Sequence, residues 1–187
     1  MQSLFDYVSN IQELPPDSIK AFAEIIDPQE YKKGSLVQPI GHTCRTIYYV
    51  KKGALRVFYF KDSHEITESF EFEHSFVARA ESLLTGKPSR KAIEALEDSQ
   101  ILAINATKLF ELYDEHRMIE RLFRKLMEKA YINMINRIES LQFHTAAERY
   151  QELLKDHPDL LQRVPLKMIA SFLGITPESL SRIRATK

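Results

Sequence analysis

Cysteine is almost absent from this chain of 187 residues, which contains only Cys44. A single thiol cannot close an intramolecular disulfide or supply an all-cysteine zinc or iron–sulfur centre. Such scarcity fits a reducing cytosol. The first residues lack the basic head and apolar run of a signal peptide, and no stretch approaches about 18 uncharged apolar residues. These absences predict a cytoplasmic protein without a membrane span.

Net charge is absent as well, because 26 Lys and Arg balance 26 Asp and Glu. A basic coat over the whole chain is therefore excluded as a means of holding nucleic acid. The balance is uneven along the sequence. Residues 1–112 hold 13 basic and 16 acidic side chains, whereas residues 113–187 hold 13 basic and 10 acidic ones. This split favours two parts with different roles.

The apolar pattern changes period along the chain. Residues 4–26 have helical spacing, with a break and a new start at Pro15-Pro16. Between Tyr31 and Asn105 the spacing is that of short strands separated by turn residues, which predicts a β-sandwich or barrel. The predicted strands are Ser35–Val37, Thr46–Lys51, Ala54–Phe60, Glu65–Phe72, Lys91–Ala95 and Ser99–Ile104.

Helical spacing returns at about Asp114 and continues for roughly 25 residues without proline or glycine. The apolar stripe is wider than one packing face requires, so the helix needs two partners. The β domain can be one, and a second copy of the same helix is the natural other, which predicts a homodimer through residues 116–141. A helix buried within one chain is the alternative. Thr145 and Glu148 then match a capping box that starts another helix.

The segment Leu166–Ala185 fits the helix-turn-helix pattern position by position. Ala170 is small where two helices would cross, and Gly174 suits a tight turn with positive φ. Thr176 is placed to cap the second helix, with Pro177 in its first turn. Apolar residues occupy the remaining core positions of the pattern, at Ile169, Leu173, Ile175, Leu180 and Ile183. A hairpin used only for packing is the less specific interpretation.

The outer side of that second helix carries groups suited to reading a DNA major groove. Arg182 can bind guanine O6 and N7 bidentately, Glu178 can accept from cytosine N4, and Ser179 can serve either base. The phosphates would be held by the helix start and by basic side chains. The predicted DNA-binding residues are Thr176, Glu178, Ser179, Arg182, Arg184 and Lys187.

A β-roll, a long helix and a C-terminal helix-turn-helix, in this order, resemble the Crp/Fnr family of bacterial transcription regulators. Residues 31–34 and 49–57 resemble the glycine turns and first strands of its cyclic-nucleotide-binding domain, and residues 175–184 resemble the recognition helix of a Bacteroidetes-type branch. The resemblance implies an α+β protein with an N-terminal jelly-roll-like β-roll at 1–113, a dimerisation helix at 114–142 and an all-α DNA-binding domain at 143–187. It also implies a palindromic double-stranded operator and RNA polymerase as partners.

The family's phosphate-binding cassette departs from its pattern in this chain. When Leu83–Pro88 is aligned with the family, the glycine falls at Arg79 and the ribose-binding glutamate at Ala80. The phosphate-binding arginine falls at Ser89, with Arg90 one place later, although a bulge could restore Arg90 and a similar shift could restore Glu81. We therefore expect weak or absent binding of cyclic AMP. The candidate ligand residues are Arg79, Glu81, Ser89 and Arg90; another anion, held by Arg79, Arg90 or Lys91, and no ligand at all are the alternatives.

Two other functions compete with a sequence-specific transcription regulator. A cyclic-nucleotide sensor acting mainly through protein contacts would bind nucleotide tightly and prefer no operator. A cupin-type enzyme would need a cluster of histidine and carboxylate ligands, and the pairs at His64-Glu65 and Glu73-His74 are too sparse to make one. The sequence therefore predicts no enzymatic activity, no metal site and no certain cofactor.

Overall fold

The computed structural model describes residues 1–185, so Lys187 of the predicted DNA-binding set lies outside the described residues. Helices at the two ends enclose a central block of strands, which confirms the predicted α+β class. The helices are α1 (Gln2–Ser9), α2 (Pro16–Glu24), α3 (Ala80–Thr85), α4 (Ala106–Glu115), α5 (Arg117–Phe143), α6 (Ala146–Asp156), α7 (Leu160–Arg163), α8 (Leu166–Leu173) and α9 (Pro177–Ala185). The strands are β1 (Ile26–Tyr31), β2 (Leu36–Gln38), β3 (Thr46–Lys52), β4 (Leu55–Lys61), β5 (His64–Glu71), β6 (Phe76–Val77), β7 (Ala92–Ala95) and β8 (Ser99–Asn105).

The strands form two antiparallel sheets of four, ordered β1-β8-β3-β6 and β2-β7-β4-β5. Their facing sides bury a layer of mostly aliphatic residues, because alternate residues of a strand point to one face. The result is the jelly-roll-like β-roll that the sequence predicts. Its inner layer consists of Val37, Tyr48, Val50, Leu55, Val57, Val77, Ile93, Ala95, Ile101 and Ala103.

The helical prediction for residues 4–26 is right about the break at Pro15-Pro16 and wrong at its end. The second helix stops at Glu24, and Ile26 opens strand β1, where it pairs with Ile104 of β8. Pro28 lies within this strand, which a proline tolerates because β1 is at the edge of its sheet. Pairing with β8 has overridden a helical periodicity that continued through Ile25 and Ile26.

The outer face of the first sheet is covered by α1, α2, α4 and the beginning of α5. Aromatic rings meet at this layer: Phe22 packs edge-on against Phe123, with ring centroids 5.7 Å apart. The long helix starts at Arg117 rather than Asp114, because α4 ends at Glu115 and the chain turns at His116. The buried members of the layer are Leu4, Val8, Leu14, Phe22, Ile26, Tyr49, Leu102, Ile104, Leu109, Ile119, Leu122 and Phe123.

The second half of α5 leaves this layer and exposes an apolar stripe. Its residues recur at alternating intervals of four and three, which is the spacing of a two-helix coiled coil. Each is about half exposed, between 47% and 60%. We call Met127, Tyr131, Met134, Ile138 and Leu141 the α5 stripe.

The chain after α5 forms a separate group of four helices. Thr145 and Glu148 make both hydrogen bonds of a capping box at the start of α6, which confirms the sequence prediction. The group's core joins residues of the roll, since Ala54, Phe72 and Leu96 are buried with it. Among the described residues, no helix is long and apolar enough to cross a membrane.

Candidate nucleic-acid interface and effector cassette

Helices α8 and α9 cross around fully buried small and aliphatic side chains. Ile169, Ala170 and Leu173 of α8 are each 0% exposed, and Leu180 of α9 is 1% exposed. The turn between the helices begins at Gly174, whose φ of 71° lies in the left-handed region that glycine adopts without strain. The core and turn positions of the helix-turn-helix pattern therefore lie where the sequence predicts.

The start of α9 is capped as the sequence predicts. The Ser179 backbone N–H donates to Thr176 Oγ1 at 3.2 Å, and Pro177 is the first helical residue. On the outer side Glu178, Arg182 and Arg184 are exposed, while Ser179 is half-buried beside the cap. The described residues of the predicted DNA-binding set therefore lie on one short helix and its cap.

The electrostatics of this face suit hydrogen bonding to base edges. A bond from its own backbone N–H and a bond from the Thr176 side chain hold the pKa of Glu178 below its usual range, so the carboxylate is ionised at neutral pH. The charge of Arg182 adds to this lowering, which places the two side chains near each other. An exposed carboxylate beside a guanidinium offers one acceptor and one bidentate donor to neighbouring bases.

An ionic contact ties this helical group to the roll. Arg163 of α7 lies 2.9 Å from Glu73 and 2.6 Å from Glu97, two carboxylates in loops of the roll. Although burial alone would raise it, the bonds from Arg163 and from the Gly53 N–H hold the pKa of Glu73 below its usual range. Sequence reasoning missed this contact, because nothing local links residues 90 positions apart.

The cassette is formed by α3 and the loop that precedes β7. Arg79 precedes α3 and is largely buried, with a side chain 13% exposed, whereas Glu81 and Arg90 are exposed. Ser89 is buried, and its hydroxyl donates to the Lys91 carbonyl at 2.8 Å and accepts from the Lys91 N–H at 3.1 Å. All four candidate ligand residues line one small cavity of about 60 Å³, together with Ser82, Lys87, Pro88 and Lys91.

A carboxylate of the roll pairs with two basic residues that line this cavity. Glu68 of β5 lies 3.2 Å from Arg79 through one oxygen and forms an ion pair with Lys91 through the other. One nitrogen of Arg79, Nη1, is buried without a hydrogen-bond partner among the described residues. Sequence reasoning named Arg79 and Lys91 and missed Glu68, although a glutamate in a strand opposite a basic loop was a signal that could have been used.

The residues of the cassette do not fit a cyclic nucleotide bound in the manner that the resemblance implies. Ala80 offers no acceptor for a ribose hydroxyl, and the Ser89 hydroxyl is occupied by the backbone of Lys91. The cavity is also far smaller than the roughly 300–1,000 Å³ of typical small-molecule sites. An anion entering here would have to compete with Glu68 for Arg79 and Lys91.

A second glutamate of β5 lies near the same arginine. Burial raises the pKa of Glu71 to about 7, against opposing contributions from the Ser69 hydroxyl and from the charge of Arg79. The folded state therefore favours the protonated acid. The stabilisation that the protonated Glu71 gives the folded state is fully present below the ordinary pKa of 4.5. It is lost as the pH rises through about 7.

We expect Glu71→Gln to remove this pH dependence of the free energy of unfolding, because the amide stays neutral. The unchanged chain loses stability as Glu71 ionises between pH 5 and pH 8.5, and the variant does not. The unfolding free energy of the variant minus that of the unchanged chain should therefore be about 1–3 kcal/mol larger at pH 8.5 than at pH 5. Urea unfolding at both pH values measures the difference. Glu13→Gln, which removes an exposed carboxylate, should show no such gain. Identical profiles for Glu71→Gln and the unchanged chain would contradict the expectation.

A larger and more open cleft of about 560 Å³ lies between α3, α4 and the loop before β3. Its lining is mixed, with Phe110 and Leu83 beside Arg45 and Asp114. Cys44 also lines it, as a free and buried thiol that donates to the Thr46 carbonyl. No group of three or more histidine, cysteine or carboxylate side chains arranged to hold a metal ion occurs in residues 1–185.

Comparison with known proteins finds a family model that is similar to part of the chain. Residues 28–116 match the family model described as the cyclic nucleotide-binding domain. No curated protein matches the chain. The matched segment, which contains most of the two sheets and the cassette, is therefore similar to cyclic nucleotide-binding domains.

The architecture is shared, over most of the chain, with solved structures that include regulators. FixK2 from Bradyrhizobium japonicum is 19% identical with a TM-score of 0.75, over 87% of this chain and 84% of that one. The c-di-GMP-responsive global regulator CLP of Xanthomonas campestris is 16% identical with a TM-score of 0.72, over 92% and 91%. A protein from Eubacterium rectale assigned to the Crp/Fnr family of transcriptional regulators is 20% identical with a TM-score of 0.72, over 95% and 85%. The chain thus has the fold of Crp/Fnr regulators.

Proposed function

We propose that this protein is a dimeric, sequence-specific DNA-binding transcription regulator of the Crp/Fnr type. The observation that carries the proposal is the outer face of α9, where exposed Glu178 and Arg182 follow a capped turn on a buried helix-turn-helix core. The structural relatives are regulators of the same architecture, and this supports the same use of the helix. Arg184 and Lys187 would hold phosphates; the Bacteroidetes-type branch and a contact with RNA polymerase stay predictions.

The α5 stripe supports the dimeric part of the proposal. Five half-exposed apolar side chains at coiled-coil spacing would be covered by the same stripe of a second copy, which is the isologous arrangement of a two-fold dimer. The stripe lies within the predicted dimer segment of residues 116–141. The domain boundaries at residues 113 and 142 stay a prediction.

Selection from random duplexes tests the proposal. Two α9 helices related by a two-fold axis would enter successive major grooves about 34 Å apart, so the selected sites should be approximate palindromes. The measurement is sequencing of the duplexes retained by the full chain over several rounds. A pool without a palindromic consensus would refute sequence-specific reading by a dimer. Tight cyclic-nucleotide binding without an operator preference would instead favour a sensor that acts through protein contacts.

A further inference from the structure

Strand β5 is at the edge of its sheet, and a side chain of the helix-turn-helix covers part of that edge. The Thr67 N–H donates to Ser171 Oγ at 2.9 Å, and Ser171 Oγ donates to the Glu65 carbonyl at 3.3 Å. Ser171 therefore bonds two backbone groups that no neighbouring strand pairs. The next residue of α8, Phe172, packs on Phe70 of the same strand, with ring centroids 5.3 Å apart.

The residue after Thr67, Glu68, contacts the cassette. The pairing of β5 with β4 skips Glu68, because Val57 faces Ser69 and Phe58 faces Thr67. Glu68 is thus the extra residue of a β-bulge, and a bulge aims a side chain in a direction that a regular strand does not allow. Its carboxylate reaches Arg79 and Lys91. Two adjacent residues of β5 therefore contact different parts of the protein: Thr67 bonds Ser171 of α8, and Glu68 pairs with the cassette.

The cassette retains capacity for an anion if Glu68 leaves. Arg79 would lose its ion pair with Glu68, and its buried Nη1 already has no hydrogen-bond partner among residues 1–185. Lys87 and Arg90 line the same cavity from its exposed side. The volume of about 60 Å³ suits a small oxyanion or one phosphate group rather than a whole nucleotide.

We propose that β5 couples the cassette to the helix-turn-helix, with Glu68 as a built-in counter-ion that an anionic ligand must displace. Displacement frees the bulge, and the freed bulge loosens the strand edge that Thr67 and Glu65 present to Ser171. Its consequence for DNA rests on the proposed function, whereas the coupling is a property of the chain alone. The tests below use no DNA, so their failure is distinct from a failure of the regulator proposal.

Hydrogen exchange of the full chain tests the coupling. Glu68→Gln removes the counter-ion and should speed exchange of the α8 amides, residues 166–173, by about tenfold. Glu94→Gln is the matched control. It also removes an ion pair between a glutamate and an arginine of the same sheet, Arg56, but Glu94 lies outside the cassette. Unchanged α8 exchange in Glu68→Gln, or an equal change in both variants, would overturn the proposal.

Calorimetry with inorganic phosphate tests the counter-ion role. Glu68→Gln should bind phosphate at least tenfold more tightly than the unchanged chain, because Arg79 and Lys91 are released. Cyclic AMP should bind neither protein more tightly than phosphate does, since Ala80 cannot hold its ribose. Equal phosphate binding by both proteins would overturn the role, and so would sub-micromolar binding of cyclic AMP by the unchanged chain.

The coupling can also be tested from the helix-turn-helix side, with a variant that leaves the cassette residues unchanged. If the contact of β5 with Ser171 and its contact with the cassette are coupled, weakening either one must weaken the other. Ser171→Ala removes both bonds to the strand edge without touching a cassette residue, and it should therefore raise the phosphate affinity of the cassette several-fold. This result keeps the proposal testable if Glu68→Gln fails to fold. No change in phosphate affinity in Ser171→Ala would overturn the coupling.

Discussion

Met134→Asp is expected to convert the proposed dimer into monomers. Met134 lies at the centre of the α5 stripe and is 53% exposed in the single chain, so its substitution leaves the chain's own core intact. In a two-fold dimer the substitution would bring two carboxylates into one apolar seam. Each would have to be desolvated or protonated, at a cost of several kcal/mol. Sedimentation at micromolar concentration should show about 21.8 kDa for the variant and about twice that for the unchanged chain.

Asn136→Asp is the matched control for this experiment. It adds the same charge two residues later, at an exposed position of α5 outside the stripe, and should leave the dimer intact. Leu126→Asp, which the sequence pattern alone would also recommend, is a poor choice. Leu126 is half-buried against the helical layer over the first sheet, so its substitution would disturb the monomer as well. An unchanged chain that sediments as a monomer would remove the dimer from the proposed function.

Arg182→Ala should cost about 1–3 kcal/mol in binding the preferred operator and should relax the base preference at one position of each half-site. The reason is that a bidentate arginine contact to a guanine edge is specific to that base. Arg182 is exposed on the outer side of α9, where the core of the helix-turn-helix does not depend on it. Fluorescence anisotropy on the selected operator and on single-base variants measures both effects.

Arg184→Ala provides the contrast. Arg184 is exposed in the last turn of α9, farther from the capped end that would enter the groove, and it is expected to bind phosphate. Its loss should weaken binding to all DNA sequences about equally. It should also reduce the slope of the logarithm of the binding constant against the logarithm of salt concentration by about one. If the two variants behave alike on every sequence, α9 does not read bases and the helix-turn-helix is a packing hairpin or a nonspecific clamp.

The parts of the structure that depend on neighbouring residues were predictable from the sequence. The helix-turn-helix is fixed by Ala170, Gly174 and the cap at Thr176, which act within one short segment. The capping box at Thr145 is equally local. The unbroken periodicity of α5 also located the long helix, although its first residue is three positions later than expected.

The parts that depend on distant partners were not predictable. Ile26 continues a helical pattern and yet begins a strand, because Ile104 of β8 pairs with it. The two-residue strand β6 carries too little pattern to be recognised. The role of Glu68 depends on a bulge that only the pairing of β4 with β5 creates. The contacts of the cassette therefore required the structure, whereas the outer residues of α9 could be proposed from the sequence alone.

The position of Ser171 at the edge of β5 also bears on the solubility of the roll. An unpaired strand edge beside exposed aromatic residues is a template for association with other chains. In this protein α8 shields that edge, and Phe72 and Leu96 of the roll are buried within the core of the helical group. A fragment ending after α5 would expose the edge and these side chains together. Helices α8 and α9 therefore cover an edge and apolar side chains of the roll, and we expect a fragment that lacks them to aggregate more readily than the full chain.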